Sequence, residues 1–328
     1  MSYYQKYRPE KIEELDLGQA REAFKKMMAA GEMAHAYLLV GPRGSGKTSS
    51  ARILARLVNC EKNIKPLSGS PLRKGRERQS LVEPCGKCGA CVSIKNGSAV
   101  DVMEIDAASH RGIDDIRDLR EKVRLAPAIL SKKVYIIDEV HMLTTEAFNA
   151  LLKTLEEPPA HAMFILCTTE AHKIPGTIAS RCVRINFTKA GRDELITSLE
   201  RAVEGEGLSV DKEALELLAD SVDGSFREGH KLLEQLAVSG KKITVETVRA
   251  GLKLSGADQV SAILAAVTGG NTKEVIKIIK TLENEGAEVT DFVTRLLLAL
   301  REKIAQAVGS NESVDKAKVR LVNSLIKV

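Results

Sequence analysis

The octapeptide Gly41-Pro42-Arg43-Gly44-Ser45-Gly46-Lys47-Thr48 constrains the fold more than any other stretch of the chain. It matches the phosphate-loop pattern G-x4-G-K-[ST] in full. Glycines let the backbone curl so that its N–H groups face phosphate oxygens, and the N-terminus of the following helix adds its dipole. Such a loop needs a strand before it and a helix after it. Ala36-Tyr37-Leu38-Leu39-Val40 is an apolar run that reads as a buried parallel strand. Beyond the loop, Ala51, Leu54, Ala55 and Val58 recur at helical spacing. Gly41, Gly44, Ser45, Gly46, Lys47 and Thr48 are therefore expected to bind a nucleotide. Lys47 sets a cation on the outer phosphates and the Thr48 hydroxyl is a magnesium ligand.

Further strands are predicted at Val100–Ile105, Val134–Ile137, Met163–Cys167 and Val183–Ile185, separated by helices such as Ile113–Val123 and Thr145–Glu157. Alternating strand and helix implies an α/β fold with a parallel sheet and helices on both faces. Pro158-Pro159 stops the second of those helices. One strand, Val134-Tyr135-Ile136-Ile137, runs into Asp138-Glu139. A carboxylate there holds magnesium, assigned to Asp138, and a second polarises water for attack on a γ-phosphate, assigned to Glu139. From about Thr188 the strands vanish. Asp193–Val203, Lys212–Val222, Phe226–Ala237 and Val245–Leu252 read as helices, and a second helical block follows from Gly256 with Val289–Val308 as its longest member. The last segment, Val314–Val328, is still helical in pattern where the chain ends, so this block is expected to be truncated.

Cys85-x2-Cys88-x2-Cys91 and the upstream Cys60 interrupt this pattern. Four thiolates suit a tetrahedral zinc ion and leave no position open for catalysis, so zinc here is expected to be structural. The six cysteines, with nothing resembling a signal peptide near Met1, fit a reducing, cytoplasmic setting in which clustered cysteines bind metal. No apolar run is long enough to cross a membrane. Between the cysteines, Lys62–Pro84 is rich in Lys, Arg, Pro and Ser. It reads either as a solvated insertion, the favoured reading, or as a basic flap on nucleic acid. The net charge of +5 is too small to decide between them. With 3% aromatic and 44% hydrophobic residues, the helical segments should pack through aliphatic side chains.

Three more residues are candidates on their residue type alone. Thr169, beside Thr168 at a strand end, either reports on the γ-phosphate or is an ordinary β-residue. Arg181 in Ser180-Arg181-Cys182 and Arg227 in Gly224-Ser225-Phe226-Arg227 are either phosphate-facing cations or surface ion pairs.

Taken with Tyr7-Arg8-Pro9, His35–Leu38, Asp106-Ala107-Ala108-Ser109, Val140-His141-Met142-Leu143 and Asn149–Pro159, these motifs resemble the AAA+ ATPases. Within that class they are similar to the gamma/tau motor subunits of bacterial DNA polymerase III clamp loaders. The resemblance is dense over residues 1–254 and rests on helical pattern alone over 255–328. It implies three domains: an AAA+ nucleotide domain over 1–187 with a zinc-binding insertion at about 60–91, a helical lid over 188–254, and a helical collar over 255–328 that oligomerises. It implies that Thr169 is sensor 1, that Arg181 is a finger acting in trans on a neighbour's ATP, and that Arg227 is sensor 2. Arg8 and Pro9, with Leu17-Gly18-Gln19, would border the adenine. ATP, magnesium and zinc are the implied cofactors. The implied partners are other clamp-loader subunits in a pentameric hetero-oligomeric ring, the sliding clamp, and primer–template DNA. The spacing from Cys60 to Cys85 is longer than that family's usual spacing. Its DNA-facing basic residues after Asp106–Ser109 are here reduced to Arg111 and Arg117. The alternative is another AAA+ DNA-remodelling ATPase, a helicase loader or branch-migration motor.

Overall fold

A computed structural model describes residues 2–31, 33–64, 81–110, 112–238, 240, 242–253, 257–268, 271–284 and 296. The chain forms two compact units, Met1–Lys242 and Ile243–Val328. The first is built on strands β1 (Ala36–Val40), β2 (Val102–Asp106), β3 (Lys133–Asp138), β4 (Ala162–Thr168) and β5 (Val183–Asn186). Their lateral order is β2-β3-β4-β1-β5 and every pairing is parallel. Parallel neighbours need a crossover back to the starting edge, and helices between successive strands supply it.

The sheet is covered on both faces, and the alternation along each strand shows how. Tyr37 and Leu39 of β1, Ile136 of β3 and Ile165 of β4 face one way, against Phe24, Leu54 and Leu57. Leu38, Tyr135, Ile137, Phe164 and Leu166 face the other, against Ile116, Leu119, Phe148 and Leu151. Successive residues point to opposite faces, so a strand buried on both sides must be apolar throughout. Tyr135 and Phe164 stack across β3 and β4 with ring centroids 5.4 Å apart. Burying each such side chain contributes about 1.5–3 kcal/mol.

Predicted strands and helices recur with ends shifted by one to three residues. The shift at the start of β2 has a clear cause. β2 starts at Val102, two residues later than the sequence pattern suggests, because Asp101 is engaged elsewhere. Its buried carboxylate accepts the N–H groups of Ala128, Ile129 and Leu130 at 2.8, 2.7 and 2.9 Å. Cys167 lies in β4, within its predicted strand, and Cys182 in the turn before β5.

Helices Arg192–Glu206, Lys212–Ser221 and Phe226–Ala237 follow β5 in the same unit. Leu195, Leu199, Leu218 and Leu233 are buried. The last helix starts at a Ser225 cap whose Oγ accepts the Glu228 N–H at 3.3 Å. In the second unit, Val245–Lys253, Ala257–Thr268 and Thr272–Asn284 are helical. The predicted helices Val289–Val308 and Val314–Val328 lie outside the described residues apart from Leu296, as do residues 65–80 of the basic stretch. Among the described residues, no helix is long and apolar enough to cross a membrane.

Candidate nucleotide site and cysteine cluster

In open parallel sheets a ligand site forms beyond the carboxyl ends of the strands. Here the carboxyl ends of β1 and β3 flank that of β4, and a cleft of about 370 Å³ opens above them. Residues 43–49 of the phosphate loop line it with Asp106, Asp138 and Glu139. Arg8, Pro9 and Leu17 line it from the N-terminal segment, and Phe226, Arg227 and His230 from the helix Phe226–Ala237.

Gly46 caps the helix Lys47–Asn59, which aims its N-terminus into the cleft. Lys47 is 6% exposed. Its ammonium donates to the carbonyl oxygens of Gly41 and Pro42, each at 2.9 Å. Burial holds its pKa below the ordinary lysine value, against the pull of nearby anionic groups that include Glu139 and Asp138. The Thr48 hydroxyl donates to Asp138 Oδ2 at 2.8 Å. Two residues chosen from separate motifs as magnesium ligands thus meet in one hydrogen bond. Both offer the hard oxygen donors that magnesium takes.

Gly41 and Gly44 are glycine for different reasons. Gly41 does not line the cleft. A Cβ there would lie 2.4 Å from the carbonyl oxygen of Phe187, just beyond β5. Gly44 has φ +77°, and a Cβ there would lie 2.1 Å from Ser225 Oγ. The Phe226 N–H donates to the Gly44 carbonyl at 3.2 Å, so the cap of the Phe226–Ala237 helix rests directly on the phosphate loop.

Glu139 follows β3 in left-handed backbone, φ 46°. The Thr169 hydroxyl donates to its Oε2 at 3.2 Å. Thr169 therefore reaches the site through Glu139 and does not line the cleft itself. The His141 side chain, 6% exposed, lies with Nδ1 3.5 Å from Glu139 Oε2 and Nε2 3.2 Å from Glu170 Oε1. Its Nδ1 is also 3.0 Å from Thr168 Oγ1. Sequence reasoning quoted His141 without a role, since nothing local marks it as buried beside Glu139.

Arg181 is not brought into this cleft. Its guanidinium pairs with Glu156 at 2.6 Å and donates to the Thr177 carbonyl at 2.6 Å. Arg227 lies with Cζ 4.8 Å from the Tyr4 ring centroid, and Arg8 with Cζ 5.7 Å from the same ring. Arg117 is exposed on the helix Ile113–Arg124, and Arg111 lies outside the described residues.

Cys60, at the C-cap of Lys47–Asn59, meets Cys85, Cys88 and Cys91 with all four sulfurs within 4.8 Å of one another. A zinc tetrahedron with Zn–S of about 2.3 Å has edges of about 3.8 Å, so the donor set fits that ion. The Cys85 N–H points at Cys60 Sγ and the Cys88 N–H at Cys85 Sγ, both at 3.3 Å. Backbone N–H groups of Lys87 and Cys88 lower the Cys85 pKa to about 6, whereas burial raises Cys60 and Cys91.

A phosphate loop after β1, an acidic pair at the end of β3 and a helical segment closing on the same cleft define an AAA+ nucleotide-binding fold. The fold is also that of the Thermotoga maritima RuvB Holliday junction branch migration motor, with a TM-score of 0.54, 16% identity, and 80% of this chain and 79% of that one covered. The family described as DNA polymerase III, delta subunit, matches residues 17–191. DNA polymerase III subunit tau of Bacillus subtilis is 38% identical over 97% of this chain and 55% of its own length. DNA polymerase III subunit gamma of Buchnera aphidicola is 32% identical over 95% of this chain and 83% of its own. The chain belongs to the DNA polymerase III gamma/tau family. It spans about half the length of the tau and gamma/tau relatives from B. subtilis, Salmonella typhimurium, Mycoplasma genitalium and Escherichia coli.

Proposed function

We propose that this chain is the ATP-hydrolysing motor of a bacterial clamp loader, using ATP to set a sliding clamp on primed DNA. One observation carries the reading. In a member of the gamma/tau family, Lys47, Thr48, Asp138, Glu139 and Arg227 converge on one cleft. Gly44, Ser45 and Gly46 offer backbone N–H groups to the phosphates, and Lys47 neutralises the outer ones. Thr48 and Asp138 would hold magnesium, which supplies charge neutralisation across the phosphates when bound. Glu139, oriented by Thr169 as sensor 1, polarises the attacking water. Arg227 as sensor 2 meets the γ-phosphate from the lid, and Arg8 and Pro9 border the base. Arg181, half-exposed and paired with Glu156, acts as a finger on the ATP of an adjacent subunit. Cys60, Cys85, Cys88 and Cys91 would hold zinc, which fastens the insertion and takes no part in hydrolysis.

The domain reading is 1–187 for the nucleotide domain, 188–254 for the lid and 255–328 for an oligomerising collar. Partners are other clamp-loader subunits in a pentameric ring, the clamp, and primer–template DNA, toward which Arg117 and Arg111 are candidates. The test is Lys47→Ala in the assembled complex, with DNA-stimulated ATPase as readout. Retained turnover rejects the site. Arg181→Ala should leave ATP binding by the lone chain unchanged and depress turnover in the oligomer. Equal loss in both contradicts action in trans. A branch-migration role is supported only by likeness of fold.

A further inference from the structure

The N-terminal segment is fastened to the lid helices. Its short helix Tyr3–Lys6 packs on Phe226–Ala237. The Tyr3 N–H donates to Glu234 Oε2 at 3.3 Å. Lys6 Nζ pairs with Glu206 Oε1 at 2.7 Å, and the Tyr7 hydroxyl donates to the same oxygen at 2.8 Å. Tyr7 sits so close to the helix Arg192–Glu206 that a Cβ at Gly205 would lie 2.4 Å from its ring. From this anchor the chain enters the cleft as Arg8-Pro9.

Tyr4 has both arginines at its ring there. The ring lies 4.8 Å from Arg227 Cζ and 5.7 Å from Arg8 Cζ, and all three side chains line the cleft. Both distances fall within the roughly 6 Å over which a ring face attracts a cation. Among the described residues, neither guanidinium is paired with a carboxylate. The distinction matters chemically. A carboxylate would fix these cations and also neutralise them. A ring quadrupole fixes them and leaves their charge available to phosphate oxygens.

We propose that Tyr4 is a positioning residue: its ring holds the lid arginine Arg227, with Arg8 alongside, in the orientation that meets the outer phosphates of the nucleotide. This rests on the ATP-site reading above. It gives the N-terminal segment a part in telling a triphosphate from a diphosphate, because Arg227 is the cation the lid brings to the γ-phosphate.

The test measures ATP and ADP dissociation constants on the full chain by competition with a fluorescent nucleotide, with a melting curve for each variant. Tyr4→Leu should cut the preference for ATP over ADP about three- to tenfold, the range of a partly desolvated cation–ring contact. Tyr4→Phe keeps the ring and should hold the ratio within about twofold. In an Arg227→Ala background, Tyr4→Leu should add nothing. The proposal is overturned if Tyr4→Phe matches Tyr4→Leu, if the two losses add in the double variant, or if Tyr4→Leu weakens ATP and ADP equally with a lowered melting point. Lys47→Ala separates the two levels. If it binds ATP normally, the nucleotide-site reading itself fails. If it loses ATP while Tyr4→Leu keeps its preference, only the role of Tyr4 fails.

Discussion

Replacing Gly44 with alanine should damage the contact between the phosphate loop and the helix Phe226–Ala237 through one traceable route. At φ +77° an alanine costs about 1 kcal/mol in backbone strain. Its Cβ would also lie 2.1 Å from Ser225 Oγ, so that hydroxyl must rotate away. The same hydroxyl caps the helix Phe226–Ala237 by accepting the Glu228 N–H, and losing a cap costs about 1 kcal/mol. The Phe226 N–H bond to the Gly44 carbonyl is stretched with it, for about 1 kcal/mol more. The total is about 3 kcal/mol, a fall of about 6–12 °C in melting temperature for a unit of this size. Ser225→Ala alone removes only the cap, about 1 kcal/mol. The informative case is the double variant. Once Ser225 lacks its hydroxyl, alanine at 44 has no cap to break, so the cap is lost once and the pair should cost about 3 kcal/mol instead of 4. Thermal melts of the four proteins decide it. Full additivity, or a Gly44→Ala loss below about 1 kcal/mol, would refute the shared-hydroxyl reasoning.

Other outcomes can be checked in the same way. Asp101→Ala leaves the N–H groups of Ala128, Ile129 and Leu130 without their acceptor and should cost about 2–4 kcal/mol, read by denaturant unfolding. A strong chelator, or Cys60→Ser, should release zinc measurable by a colorimetric dye and lower the melting temperature, while leaving the strand signature of the circular dichroism spectrum intact. His230, buried with Nε2 3.0 Å from the Ser198 carbonyl, has its pKa lowered by desolvation. The unfolded chain takes up a proton near pH 6.5 while the folded one resists, so the stability is whole above that pH and lost as pH falls below it. His230→Gln should flatten the drop in melting temperature between pH 7.5 and 5.5.

The parts of the site that could be read in advance are those in which chemistry and local pattern coincide. Gly41–Thr48 and Val134–Glu139 each carry their meaning within eight residues. The central strands β1, β3 and β4 were legible because burial on both faces forces unbroken apolar runs. What escaped depends on contacts distant in sequence. No local rule states that β4 inserts between β1 and β3, since strand order follows from how crossovers pack. Asp101 looks like a polar residue inside a strand until the loop at Ala128–Leu130 closes on it. Tyr4 is an aromatic residue on a one-turn helix, without significance until Arg227, more than two hundred positions later, comes to its ring. His141 sat inside a quoted motif, but its reach to Glu170 needs the ends of β3 and β4 side by side.

If Glu139 has the water-polarising role proposed above, its left-handed backbone sets stability and turnover against each other at a single codon. Asparagine or glycine would adopt that conformation with about 1 kcal/mol less strain, yet neither carries a carboxylate to a water molecule. Once selection for hydrolysis lapses in a duplicated copy, drift at this position should favour the relaxed residues. The idle descendant would then melt higher than its working sibling.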